Sequence, residues 1–146
     1  MSASPDPAAP LAGPTTAAAW AQKAEHDILD ADNNIAAEQT PWDMVCFHAQ
    51  QAAEKYLKAL LVARGELPPR IHDLDALLER CLAHDPTLSD LRADCTDLAS
   101  YAVEVRYPDD LFEMTESDGR RAIAAARRVQ AKIRPLLQPK VPLGGE

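Results

Sequence analysis

Cysteine, glycine and aromatic residues are all scarce in this chain of 146 residues, which has three cysteines, five glycines and 5% aromatics. The cysteines, Cys46, Cys81 and Cys95, are odd in number and form no CxxC pair, so they lay out neither a disulfide framework nor a zinc cluster. They read as buried free thiols in a reducing cytoplasm. The glycines stand singly or at the C-terminal end, which leaves no glycine-rich phosphate loop. No Ser/His/Asp nucleophile set is identifiable either. No apolar run approaches the roughly 20 residues that span a bilayer, and Met1-Ser2-Ala3-Ser4 lacks the positive n-region of a secretory signal. A cytoplasmic protein is the expectation. Positive charge is also in the minority, with 15 Lys and Arg against 23 Asp and Glu and a net charge of −8, which excludes broad, unspecific wrapping of nucleic acid.

Alanine, leucine and proline are what the chain has in quantity. Ile and Val together number 11 against 27 Ala and 17 Leu, a balance that favours helix over sheet. Of 12 prolines, only Pro41, Pro68, Pro69, Pro86 and Pro108 lie away from the ends. Proline lacks a backbone donor and clashes with the preceding turn, so each proline-free stretch between these cuts holds at most one uninterrupted helix. Residues 1–14 and 138–146, rich in Pro, Ala and Gly, are expected as flexible tails around one folded unit over 15–137.

Helix starts are legible as Thr-x-x-Asp at Thr40/Asp43, Thr87/Asp90 and Thr115/Asp118, each predicting a capping box. Pro41 fits a first helical position and Gly65 a C-cap. Trp42, Val45, Cys46, Ala49, Ala53, Tyr56, Leu57 and Leu60 recur as one helix face over 41–64. Leu88, Leu91, Cys95, Leu98, Ala102 and Val105 form a narrow seam on a fourth long helix, and Ala122, Ala126, Val129, Ile133 and Leu136 do so on a fifth stretch. The first stretch carries Trp20, Ala24, Ile28, Ala31 and Ile35, small residues that suit close approach. A short helix over about 73–83, with Asp73 as N-cap, turns Leu74, Leu77, Leu78 and Leu82 inward. The prediction is all-α: an antiparallel up-and-down bundle of four long helices and one short one. Phe47, Phe112 and the Trp42 end are candidates for an apolar strip that a homodimer would cover.

Three polar constellations carry possible chemistry. On the second helix His48, Gln51, Lys55 and Lys58 fall within one arc roughly opposite the apolar face, either a site for an anion or nucleotide or a solvated face with Glu54 and Lys58 as an i,i+4 pair. Tyr101, Arg106 and Tyr107 precede Pro108, where Arg106 either pairs with phosphate while a base stacks on the rings or caps its own helix. Arg120, Arg127 and Arg134, and separately Arg121 and Arg128, repeat every seven residues; these stripes suit RNA backbone or a partner, or else pair with the acidic first helix. A metal site is not expected, because neither His26 with Asp27 and Asp30 nor His72 with Asp73 sets three ligands on one face.

The run Trp42-Asp43-Met44-Val45-Cys46-Phe47-His48-Ala49-Gln50-Gln51-Ala52-Ala53-Glu54-Lys55-Tyr56-Leu57-Lys58-Ala59-Leu60-Leu61 resembles the signature of the HEPN superfamily. Arg70-Ile71-His72-Asp73-Leu74, Tyr101 to Pro108 and the closing helix follow in the same order, so the likeness covers about residues 18–137. The resemblance implies a helical bundle that commonly dimerises, often beside a minimal nucleotidyltransferase in a two-component, toxin–antitoxin-like system. It is similar also to the C-terminal domain of sacsin, for which nucleotide binding is proposed. Other HEPN proteins are metal-independent ribonucleases carrying Arg-x4-6-His. Here no His follows Arg106, the last being His84. The resemblance therefore implies a non-catalytic dimer, without cofactor, that binds a nucleotide, RNA or a nucleotidyltransferase through His48, Gln51, Lys55, Lys58, Tyr101, Arg106 and Tyr107. A ribonuclease using a displaced His72 or His48, and a purely structural adaptor, are the alternatives.

Overall fold

A computed structural model describes residues 16–101 and 113–137. The expected tails, Arg106, Tyr107, Pro108 and Phe112 therefore lie outside the described residues. Among those described the chain is all-α, as the composition predicts. Its helices are α1 (Ala17–Ala36), α2 (Trp42–Ala63), α3 (Leu74–Leu82), α4 (Arg92–Ala99) and α5 (Glu116–Ile133), with 3-10 turns at Pro86–Leu91 and Arg134–Leu137.

Side-chain pairings set the directions. Along α1 and α2 the partners run oppositely, Asp27 meeting His48 and Lys55 while Trp20 meets Lys58, so the two helices are antiparallel. α5 runs with α2, since Gly119 abuts Trp42 and Gln130 bonds Tyr56. It runs against α4, where Asp97 meets Arg121 and Asp94 meets Arg128. α2 is thus the central rod. It buries Val45, Cys46, Ala49, Tyr56, Leu57, Leu60 and Leu61, and with them the polar Gln50, Glu54 and Lys58. A helix enclosed all round belongs in the middle of a bundle rather than on its surface.

Local chemistry explains the helix ends. Gly65 takes φ +86°, its N–H bonds Val62 O at 3.0 Å and the Glu66 N–H bonds Leu61 O at 2.9 Å, so α2 ends in a Schellman motif at the predicted glycine. At α5 the predicted capping box forms, with Thr115 Oγ1 accepting from Asp118 N at 3.1 Å and Asp118 Oδ2 accepting from Thr115 N at 2.9 Å. Thr115→Ala is expected to lower stability by about 1 kcal/mol, measurable as a lower urea midpoint with an unchanged slope.

Two of the three predicted capping boxes do not form. Thr40 Oγ1 donates back to Ile35 O at 3.2 Å, closing the end of α1, and Pro41, expected at the first helical position, is instead the N-cap of α2, which begins at Trp42 without a side-chain cap. At Thr87 the cap is Asp85, which accepts from Thr87 N at 3.0 Å and Thr87 Oγ1 at 2.6 Å. The long fourth helix is correspondingly broken. With Asp85 capping and Pro86 in the first turn, Leu88 and Leu91 bury themselves through a 3-10 turn, whose three-residue period aligns them. α4 then runs for 8 residues and ends where Ser100 Oγ donates to Asp97 O at 2.5 Å. The bundle among the described residues therefore has three long helices and two short ones.

Candidate functional site

The polar arc of α2 is not a solvated face, because α1 lies over it. Ala24 and Ala31 are fully buried, and their small side chains let the α1 backbone approach closely. That approach brings Asp27, itself buried, onto the arc. Asp27 Oδ1 lies 2.9 Å from His48 Nδ1, and Oδ2 accepts from Lys55 Nζ at 2.5 Å. One turn further along, Glu54 Oε2 accepts from Lys58 Nζ at 3.1 Å and lies 2.9 Å from His72 Nδ1. The expected i,i+4 pair of Glu54 and Lys58 is present but enclosed, with side chains 5% and 6% exposed. The Lys58 ammonium also sits 5.6 Å from the Trp20 ring centroid, a cation–π contact that offsets part of its lost hydration. Gln51 Nε2 donates to Gln50 Oε1 at 2.8 Å.

These contacts give the site a definite electrostatic form. Each histidine turns Nδ1 to a buried carboxylate, which places the proton on Nδ1 and leaves Nε2 as the outward nitrogen. His72 is the more accessible, with a side chain 79% exposed. Glu54 Oε1 and Trp20 Nε1 are buried with no hydrogen-bond partner among the described residues. A buried polar atom without a partner is unfavourable by about 1–3 kcal/mol, so this end of the arc is not optimised for packing.

The other predicted residues are placed differently. Tyr101 is buried in the core and its hydroxyl accepts from Arg121 Nη2 at 3.3 Å; burial first, and then the Asp97 charge, push its pKa up. Its ring packs inside rather than offering a stacking surface. The basic stripes of α5 divide by direction. Arg127 and Arg134 pair with Asp32 and Glu25 of α1, as the acidic-helix reading expects, whereas Arg121 and Arg128 pair with Asp97 and Asp94 of α4. Lys132 reaches Asp90 of the preceding turn, and Arg120 bonds Glu116 and lies over the Trp42 ring. Phe47 meets the His48 ring edge-on, with centroids 5.3 Å apart. Cys46, Cys81 and Cys95 are buried and form no disulfide, and burial pushes the Cys81 and Cys95 thiols up to about 12, which keeps those two inert.

Asp27, Glu54, His72 and Trp20 are the members that sequence reasoning did not place among the binding candidates. Their signal was present. Asp27 lies between Ala24 and Ala31 on the apolar side of α1, and an acid on a buried seam facing a Lys/His arc calls for a pair. The histidine that joins Asp27 and Asp30 is His48 from the other helix and not the exposed His26.

The model of the HEPN domain matches residues 17–135. Among solved structures, the chain is similar to TT1696 from Thermus thermophilus, with 28% identity and a TM-score of 0.73 over 84% of this chain and 99% of that one. It is similar also to ST0689, an archaeal HEPN homologue, with 26% identity and a TM-score of 0.66 over 84% of this chain and 98% of that one. Comparison with curated proteins finds no match. A helical bundle built around the α2 signature, matched over nearly all of its described length, makes this chain a member of the HEPN domain family.

Proposed function

We propose that this HEPN domain is the non-catalytic binding half of a two-component, toxin–antitoxin-like pair. It acts as a homodimer that takes a nucleotide, RNA or a minimal nucleotidyltransferase partner at the α2 arc and the Arg106–Tyr107 end. The observation that carries this reading is the charge chain Asp27–His48–Lys55 and Glu54–Lys58 under α1, with the exposed His72 at its open end. Buried ion pairs seldom add net stability over an apolar replacement. A bundle holding two of them side by side is therefore built for something other than cohesion. Lys55 and His48 form its accessible rim, with a quarter or less of each side chain exposed. An entering phosphate would draw the Lys55 ammonium outward, with Asp27 holding it in place until then. Among the described residues no helix is long and apolar enough to cross a membrane.

The test is titration of ATP and of a short RNA into the wild type, Lys55→Ala and Gln51→Ala. Lys55→Ala is expected to weaken binding about tenfold, the value of one charge-assisted hydrogen bond, with helical content unchanged by circular dichroism. Equal affinity in all three proteins removes the arc as the binding site.

A second reading, a ribonuclease with a displaced histidine, is favoured by one observation. His72 Nδ1 is held by Glu54 while its ring stands in solvent, as an oriented general base requires, and Arg70 two residues away has no acidic partner among the described residues. Mixed RNA cleaved by the wild type and spared by His72→Ala and Arg70→Ala would establish it in place of the binding reading.

A further inference from the structure

We infer that Asp27, Asp30 and His48, at the corner between α1 and α2, form a binding site for a single zinc-class divalent ion. One ligand atom from each lies within 4.8 Å of the other two. His48 Nδ1 is 2.9 Å from Asp27 Oδ1 and 4.0 Å from Asp30 Oδ2. Donors around a tetrahedral zinc ion, each about 2.0–2.2 Å from it, stand about 3.3–3.5 Å apart. These two spacings bracket that value and the third pair lies within 4.8 Å, so adjustments of about an ångström in the side chains complete the set. One imidazole nitrogen and two carboxylate oxygens suit zinc or cobalt better than calcium or magnesium, which take oxygen alone. The fourth position is left to water.

Local charge points to the same occupant independently. Asp27 and Asp30 are i,i+3 neighbours on one helix, where like charges repel. Lys55 neutralises Asp27 from the far side through Oδ2, which leaves Oδ1 facing the corner. Asp30 has only the imidazole at 4.0 Å and no Lys or Arg partner among the described residues, and its side chain is 55% exposed. No Lys or Arg among the described residues faces the corner on the side open to solvent. An entering ion takes the lone pair of His48 Nδ1, and the proton that Nδ1 shared with Asp27 is exchanged through water onto Nε2, so the ring binds as a neutral imidazole. Lys55 stays on Oδ2 as an outer partner that fixes the Asp27 carboxylate. Cys81 and Cys95 are buried with raised pKa values, so their thiols do not compete for the ion. Binding here needs no nucleotide, although it shares His48 and Lys55 with the arc proposed above, so zinc alone is the probe that separates the two.

The experiment is calorimetric titration of zinc chloride alone into the full chain after chelator treatment, with the histidine ring resonances followed by NMR. The expected result is one ion per chain, with the His48 resonances shifted and those of His26 and His84 unmoved. Asp30→Asn, at an exposed position, weakens binding at least tenfold, since loss of even an outer-shell partner has that effect. Lys55→Met removes the outer partner that fixes the Asp27 carboxylate and weakens binding as well. Should Asp30→Asn melt early, His48→Gln supplies the same comparison. No saturable binding, or binding unchanged by these ligand variants with His48 unmoved, would mean an adventitious ion only and overturn the site.

Discussion

Lys58→Met is expected to destabilise the bundle by about 3–5 kcal/mol, because it strands a buried carboxylate that has lost its cation. Glu54 is 4% exposed, and Lys58 Nζ at 3.1 Å is the full charge that faces it. The remaining partner, His72, is largely in solvent and binds the same oxygen, so it cannot replace an enclosed ammonium. Glu54→Leu alone is expected to lose a similar amount by stranding Lys58 against Trp20. The double variant Glu54→Leu/Lys58→Met, with apolar side chains of similar volume, should return to within about 1 kcal/mol of the wild type. Urea unfolding of the four proteins measures this as a double-mutant cycle. Additive losses would mean that the pair is not coupled and that the arc of α2 is not enclosed by α1.

The second large effect comes from the contact between α5 and the start of α2. A Cβ built on Gly119 would fall 2.4 Å from Trp42 Cε3 and 3.2 Å from Cζ3. These are ring atoms rather than the tip of a flexible chain, and the ring is further confined by the Arg120 guanidinium, 5.2 Å from its centroid. Gly→Ala inside a helix ordinarily gains up to about 1 kcal/mol. Here the overlap reverses the sign, and Gly119→Ala is expected to lose about 1–3 kcal/mol. In a Trp42→Ala background the obstruction is gone, so the same substitution becomes stabilising. Thermal melts of the two single variants and the double variant check that change of sign.

Much of the architecture was legible because local rules operate where local chemistry decides. Gly65 had to end α2 since it supplies the left-handed residue of the Schellman motif, and Thr115 with Asp118 had to start α5 since both halves of the box were present. Thr40 and Thr87 carry the same spacing and fail for identifiable reasons. Ile35 O offers Thr40 an alternative acceptor, and Asp85 holds the N-cap position before Pro86, which leaves Thr87 inside the first turn. A continuous fourth helix is not legible from its seam, because alternating steps of three and four are the same for an α-helix as for a 3-10 turn followed by one.

The site was half legible. Periodicity groups His48, Gln51, Lys55 and Lys58 correctly, since it records which residues share a side of one helix. It does not record what covers that side. That is decided by Ala24 and Ala31, whose small size lets α1 close over the arc and supply Asp27. The basic stripes of α5 show the same limit. Their spacing defines two stripes, and tertiary packing directs Arg127 and Arg134 to α1 and Arg121 and Arg128 to α4, while Arg120 pairs with Glu116 on its own helix.

Binding at the α2 arc without cleavage is tested most directly by one gel-shift measurement on end-labelled RNA, because the same lane reports both binding and cleavage. The expected result is a shifted band of intact RNA that weakens in Lys55→Ala. Labelled fragments formed by the wild type and absent with His72→Ala, or a shift identical in the wild type and Lys55→Ala, would contradict it.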